Sequence, residues 1–245
     1  MMNGLVLHLS GIFSFFRIPY TSLLMDTYPF PPKTTVIGMV GAAFGWKEEE
    51  FLENIKKFGY GVIIERSGEI VKEVARIFGN LRRDKERGIY YYEHKPVTKN
   101  MIYKPSYKVF LTSNEEDLIN EATEKFYDPK YVLGLGDSED LFYPEHPKFV
   151  KSMRIKEEKE AKKLRCILPS EIYRGYVKTL NTGEMVRGKN ILLPREIKIP
   201  VDFVGRGKNR RFVSRNVFYY SGIELELKKP LEEVFDFDGE AVYLF

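Results

Sequence analysis

Thr27-Tyr28-Pro29-Phe30-Pro31-Pro32-Lys33-Thr34-Thr35, followed by a helical stretch carrying Gly38 and Gly41, decides how the N-terminal half folds. Prolines fix φ and suit the first helical position, so Pro31 and Pro32 predict one turn and then helix entry without a wasted amide donor. Lys33, Thr34 and Thr35 then occupy the helix mouth, where free backbone N–H groups and the positive dipole end favour an anion such as a phosphate. The same residues also suit an ordinary capped connection from strand to helix, and both readings stand at this point.

Outward from that junction, Leu5, Leu7 and Leu9 alternate with Val6, His8 and Ser10, Gly11 interrupts, and Phe13 and Phe15 resume, which predicts a first strand with a bend. The helix runs over 34–44 and stops at Gly45, and 47–58 follows as a second helical piece with Phe51, Leu52, Ile55 and Phe58 on one side. Strands are expected at 60–65, 70–78 and 107–112. Ser113 with Glu116 three residues on predicts a capping box for a helix that turns Leu118, Ile119, Ala122 and Phe126 inward. A short strand at 131–135 then leads into Gly134-Leu135-Gly136-Asp137-Ser138.

The order strand, helix, two strands, helix, strand is an α+β, ferredoxin-like arrangement, used by RNA-binding scaffolds and by many unrelated proteins. Beyond about residue 165 the chain changes to short β segments at 164–168, 197–204, 212–219, 223–227 and 241–244. This predicts a ferredoxin-like domain over 1–147 with an insertion at 80–105, then a linker and a small all-β C-terminal region over 148–245.

The chain has 245 residues, 43% of them apolar, enough to bury a sizeable core. It has no apolar run long enough to cross a bilayer and no basic-then-apolar secretory start, so a cytoplasmic protein without a membrane partner is expected. Its one cysteine, Cys166, sits in an apolar stretch and is expected in the core. Charged residues reach 30% and glutamine is absent, the compositional lean of a thermophile.

The net charge of +4 is unevenly spread. Residues 80–108 hold eight Lys or Arg against three acids, 148–165 hold eight against three, and 205–215 hold five against none. Segregated charge builds a local positive field suited to a polyanion. The 148–165 run, with Lys and Glu spaced three and four apart, reads as solvated surface.

Residues 80–105 are too long and too charged for a tight loop. Arg82, Arg83 and Arg87 lead into Tyr90-Tyr91-Tyr92, and Lys95 and Lys104 follow. Cations interleaved with rings suit single-stranded RNA, because phosphates need charge and unstacked bases need a flat partner. A projecting hairpin is the expected form, and the alternative is a surface ribbon whose tyrosines pack on a neighbouring subunit. Arg206, Lys208, Arg210 and Arg211 offer a second basic segment, and Gly134, Gly136 and Ser138 a glycine-rich turn that permits close phosphate approach.

Catalytic signals are thin. Gly136-Asp137-Ser138 is not a nucleophile elbow, no phosphate-binding P-loop is present, and His8, His94 and His146 lack metal-ligand spacing. No metal or cofactor is therefore expected. His94 beside Lys95, with Tyr91 near, is the one constellation suited to general acid or base work on RNA.

Phe16-Arg17-Ile18-Pro19, then Thr27 through Thr35 and on through Val36-Ile37-Gly38-Met39-Val40-Gly41-Ala42-Ala43-Phe44-Gly45, resemble the N-terminal signature of the CRISPR-associated Cas-five family, RAMP proteins of the type I Cascade complex. The resemblance is dense over roughly the first 45 residues, and the C-terminal third matches only in style. It implies a subunit of antiviral defence that grips the 5′ handle of the CRISPR RNA and caps the backbone filament. The backbone subunit and the large subunit would be its partners, and target DNA an indirect one. By position it implies a thumb at 80–105 and handle-facing elements at Arg17, Lys33 to Thr35 and the glycine turn. A subset of the family cuts precursor RNA without metal using tyrosine, lysine and histidine, so a metal-independent endoribonuclease is the alternative, and a scaffold that only contacts proteins a second.

Overall fold

The structure, a computed structural model, describes residues 2–21, 24–141, 150–157, 161–179, 191–232 and 234–245. In chain order the strands are β1 (Met2–Ser10), β2 (Phe13–Ser14), β3 (Leu24–Met25), β4 (Phe58–Arg66), β5 (Glu69–Arg83), β6 (Tyr90–Tyr103), β7 (Ser106–Ser113) and β8 (Val150–Glu157). They continue with β9 (Lys163–Leu164), β10 (Leu168–Pro169), β11 (Leu192–Val204), β12 (Arg211–Ser221), β13 (Leu225–Glu226), β14 (Val234–Asp236) and β15 (Ala241–Tyr243). The helices are α1 (Lys33–Phe44), α2 (Glu48–Asn54), α3 (Glu116–Tyr127) and α4 (Ser170–Tyr176). The fold is mixed α/β and rich in strands.

Nine strands form the main sheet in the order β10-β12-β4-β7-β1-β8-β14-β15, with β11 on the other edge of β12. The period-2 alternation of β1 divides the core between the two faces. Leu5, Leu7 and Leu9 join Tyr60, Val62, Tyr107 and Val109 beneath α1 and α3, whereas Val6, Ile63 and Phe110 join a second cluster with Cys166, Tyr220, Phe237 and Val242. The second face is closed by the segment 234–244, which approaches β4 so tightly that a Cβ on Gly61 would stand 2.6 Å from Val242 Cγ1. Cys166 lies buried here, between β9 and β10 rather than within a strand, and burial pushes its thiol up to about 12.

Helix α1 begins as its sequence dictates: Pro32 is the N-cap, with extended φ and ψ. Its end is equally local. Gly45 takes φ 77° as C-cap and donates to the Gly41 carbonyl, a left-handed stop open to glycine at no steric cost.

Five expectations are corrected. Residues 131–135 form no strand, only a bridge of Gly134 with Leu141, and the strand on the far side of β1 is β8, inside the basic run read as solvated surface. Only Val150 and Ile155 of β8 are buried, so its cations disguise a strand at the surface. The sheet therefore runs across the boundary expected at 147. The C-terminal region is not all-β, because Ser170–Tyr176 is helical, and β12 pairs with β4 in the same sheet. Finally, α3 has Glu115 as N-cap with no side-chain cap bond; Ser113 Oγ accepts from the Glu115 amide instead.

Candidate nucleic-acid interface

The insertion is longer than its basic segment. Strands β5 and β6 pair antiparallel from Glu69 opposite Tyr103 to Arg83 opposite Tyr90. Asp84 organises the turn, accepting from the amides of Glu86 and Arg87 through Oδ1, while Gly88 supplies φ 67°. Between Phe78 and Leu81 the register slips, with Gly79 and Asn80 facing the single Glu93, a bulge that bends and twists the ribbon. Residues on the distal half are exposed, among them Phe78, Leu81, Tyr90, Tyr91 and Tyr92.

The base of the hairpin is fixed to the body. Along the β6 edge, Phe13 and Ser14 of β2 pair with Tyr103 and Ile102, and β3 runs parallel beside Thr98 and Lys99. Lys99 is buried, with Nζ 2.8 Å from Asp137 Oδ2 and 4.6 Å above the Phe15 ring. Burial would raise the Asp137 carboxyl, but the Lys99 hydrogen bond and the Ser138 amide outweigh it and hold the group below the usual range. Asp140 lacks such a partner: it is buried with Oδ2 unbonded, and burial, reinforced by Asp137, Glu139 and Glu73 against the pull of Lys99, lifts it to about 6. An ammonium on the hairpin and carboxylates on the glycine turn thus tie two sequence-predicted elements together.

The glycine turn also meets α1. Thr35 and Gly38 face Gly134, Gly136 and Ser138 across a cleft of about 330 Å³. A Cβ on Gly38 would meet nothing, and Gly136, at φ 104°, lies so close to the Phe15 carbonyl that no side chain fits. Asp137 occupies the turn itself, where its Oδ1 accepts from the Ser138 amide. Lys33 does not point into this cleft. Its Nζ donates to the Phe245 carbonyl at 3.4 Å, and burial lowers its pKa, with Asp202 opposing and Arg215 adding to the shift. Thr34 is buried, while Arg17 is exposed beside Thr27. Lys104 takes φ 51° after β6, with its ammonium 4.9 Å over the Tyr103 ring.

The second basic segment sits on a different sheet, at the turn of the β11–β12 hairpin, and folds back on α2. Arg206 pairs with Glu49 at 3.2 Å, Arg210 pairs with Glu48 at 3.1 Å and lies 4.9 Å over Phe203, and the Gly207 amide donates to Glu48. Two of its four cations are thus offset by carboxylates, whereas Lys208 and Arg211 stay exposed. The His94, Lys95 and Tyr91 constellation is not brought together. Alternation in β6 sets His94 on one face of the ribbon and Tyr91 and Lys95 on the other, so the three do not approach one phosphodiester from one side. His8 is exposed opposite Lys108, and His146 lies outside the described residues. Among the described residues no group of three or more His, Cys, Asp or Glu is placed to hold a metal, and no helix is long and apolar enough to cross a membrane.

A family model described as CRISPR-associated protein (Cas_Cas5) matches residues 4–188. The chain belongs to the CRISPR-associated Cas5 family. Among solved structures, a chain of a "CRISPR RNA-guided surveillance complex" gives a TM-score of 0.56 at 15% identity, covering 92% of this Cas5-family chain and 91% of its own. A CRISPR protein from Archaeoglobus fulgidus gives 0.54 at 14% identity, with 98% of each chain covered. At these identities the likeness shows the fold. A search of curated proteins gave no match.

Sequence reading missed Lys72, Arg76 and Phe78, which precede the basic segment but share the same ribbon. The signal lay in Ile70, Val71 and Val74, β-branched residues that carry a strand from Glu69 up to the point where charge density rises.

Proposed function

We propose that this Cas5-family chain is the non-catalytic subunit that grips the 5′ handle of the CRISPR RNA in a type I Cascade complex and caps its backbone filament. The observation that carries the reading is the long, exposed hairpin of cations and rings, whose distal half no other element among the described residues covers. We read β4-β7-β1-β8, with α1 and α3 packed on one face, as a ferredoxin-like RAMP core and the β5–β6 hairpin as its thumb. The cleft between Thr35 and the glycine turn, which the Lys99–Asp137 ion pair ties to the base of the hairpin, is a second candidate contact. The backbone and large subunits are the expected neighbours, and target DNA is reached through them.

The experiment is incubation of the purified chain with labelled precursor CRISPR RNA in chelator. Retention of intact RNA that contains the handle supports this reading. Specific cleavage would instead establish the metal-independent endoribonuclease, and neither retention nor cleavage would leave a protein-contacting scaffold.

A further inference from the structure

We infer that the β5–β6 hairpin holds RNA with one of its two faces, on which Phe78 and His94, together with Tyr92, form a platform for unpaired bases flanked by Arg76 and Arg83. The inference rests on the RNA reading above and assigns it a side.

Directly opposed residues of an antiparallel pair share a face. Ile70, Lys72, Val74, Arg76, Phe78, Leu81 and Arg83 therefore stand with the even-numbered residues of β6, including Tyr90, Tyr92 and His94. Not one carboxylate occurs among the paired positions of this face. The acids Glu69, Glu73 and Glu93 all stand on the reverse, where Glu93 lies 3.6 Å from Arg82 and 4.0 Å from Lys95. A polyanion approaching the reverse meets cations already partnered; on the acid-free face it meets Arg76 and Arg83 with no competing carboxylate.

The rings are arranged to match. Phe78 packs edge-on against Tyr92 at 5.8 Å and tilted against His94 at 5.1 Å, and Arg83 lies 5.7 Å from the Tyr90 centroid. Phe78 is nevertheless 73% exposed and Tyr92 54%, so the cluster leaves ring faces open instead of burying them. Bases stack on such rings whatever their sequence, and guanidinium groups between them take the phosphates. Recognition by strand addition along the outer edge of β5 is disfavoured by the bulge at Gly79 and Asn80 and by the arginines that line the edge. The occupant favoured by rings, cations and the missing carboxylates is single-stranded RNA.

The test compares the full chain with variants on each face, using a single-stranded oligouridylate of about twelve nucleotides, within the usual span of single-strand sites, and an abasic strand of equal length and charge. Tyr92→Ala, Phe78→Ala and His94→Ala should each weaken oligouridylate binding by about tenfold, the scale of one lost base stack, and leave abasic-strand affinity nearly unchanged. Tyr91→Ala on the reverse should alter neither, and Phe78→Tyr, which keeps a ring, should retain wild-type affinity. Equal losses from the two faces, or a Phe78→Tyr loss as large as that of Phe78→Ala, would overturn the assignment while leaving the RNA reading intact. Full RNA affinity in all three ring variants would overturn it in favour of a protein partner on this face. A wild-type chain that binds neither strand would remove the RNA reading, and the face assignment with it.

Discussion

Asp140 shows how one residue can work against the fold it belongs to. Its carboxyl is buried, Oδ2 has no donor, and its folded pKa of about 6 lies above the unfolded value near 3.9. The folded state therefore binds the extra proton between about pH 4 and pH 6, and stability falls as pH rises through that window. Asp140→Asn, which keeps the shape and removes the charge, should stabilise the protein by about 1 to 2 kcal/mol at pH 7.5 and by almost nothing at pH 4. Thermal melts of both proteins at the two pH values check this, and an equal gain at both would mean that the charge is not the cause. Asp137, only three residues away, behaves oppositely because Lys99 donates to it, which keeps the buried ammonium of the hairpin base paired.

At the scale of elements, legibility in the sequence followed how local the determinant was. The alternation of β1, the proline entry and glycine exit of α1, and the amphipathic face of α3 are encoded within a few residues each, and all three lie where the sequence places them. Strand β8 was not legible, because its pairing with β1 depends on a partner about 150 residues away and its own pattern reads as a charged surface. The hairpin was legible in composition but not in register: the bulge at Gly79 decides which rings share a face, and no local rule places it. The glycine turn was legible as a turn, but its neighbour across the cleft, Gly38 of α1, was not. Because the distal hairpin contributes little to either core cluster, replacing Arg76 and Arg83 together by Ala should weaken RNA binding by at least about tenfold while moving the melting temperature by about 2 °C or less. Affinity titration beside a thermal melt reads both, and unchanged affinity would remove the hairpin arginines from the interface.

For the whole molecule, the distribution of charge matters more than its sum. A net +4 is modest, yet the hairpin leaves one acid-free face, while the β11–β12 turn offsets two arginines against Glu48 and Glu49 of α2. RNA contact should therefore centre on the first hairpin and the adjoining cleft. With about five phosphates neutralised, the logarithm of affinity should fall with the logarithm of salt at a slope of about −3.5, and a slope near zero would exclude an electrostatic grip. Ultraviolet cross-linking of the intact chain to handle-containing CRISPR RNA, with adducts located by mass spectrometry, puts the central claim to the sharpest test. Adducts on Phe78, Tyr92 or His94 are the predicted result. Efficient cross-linking confined to residues outside 69–103 would contradict it.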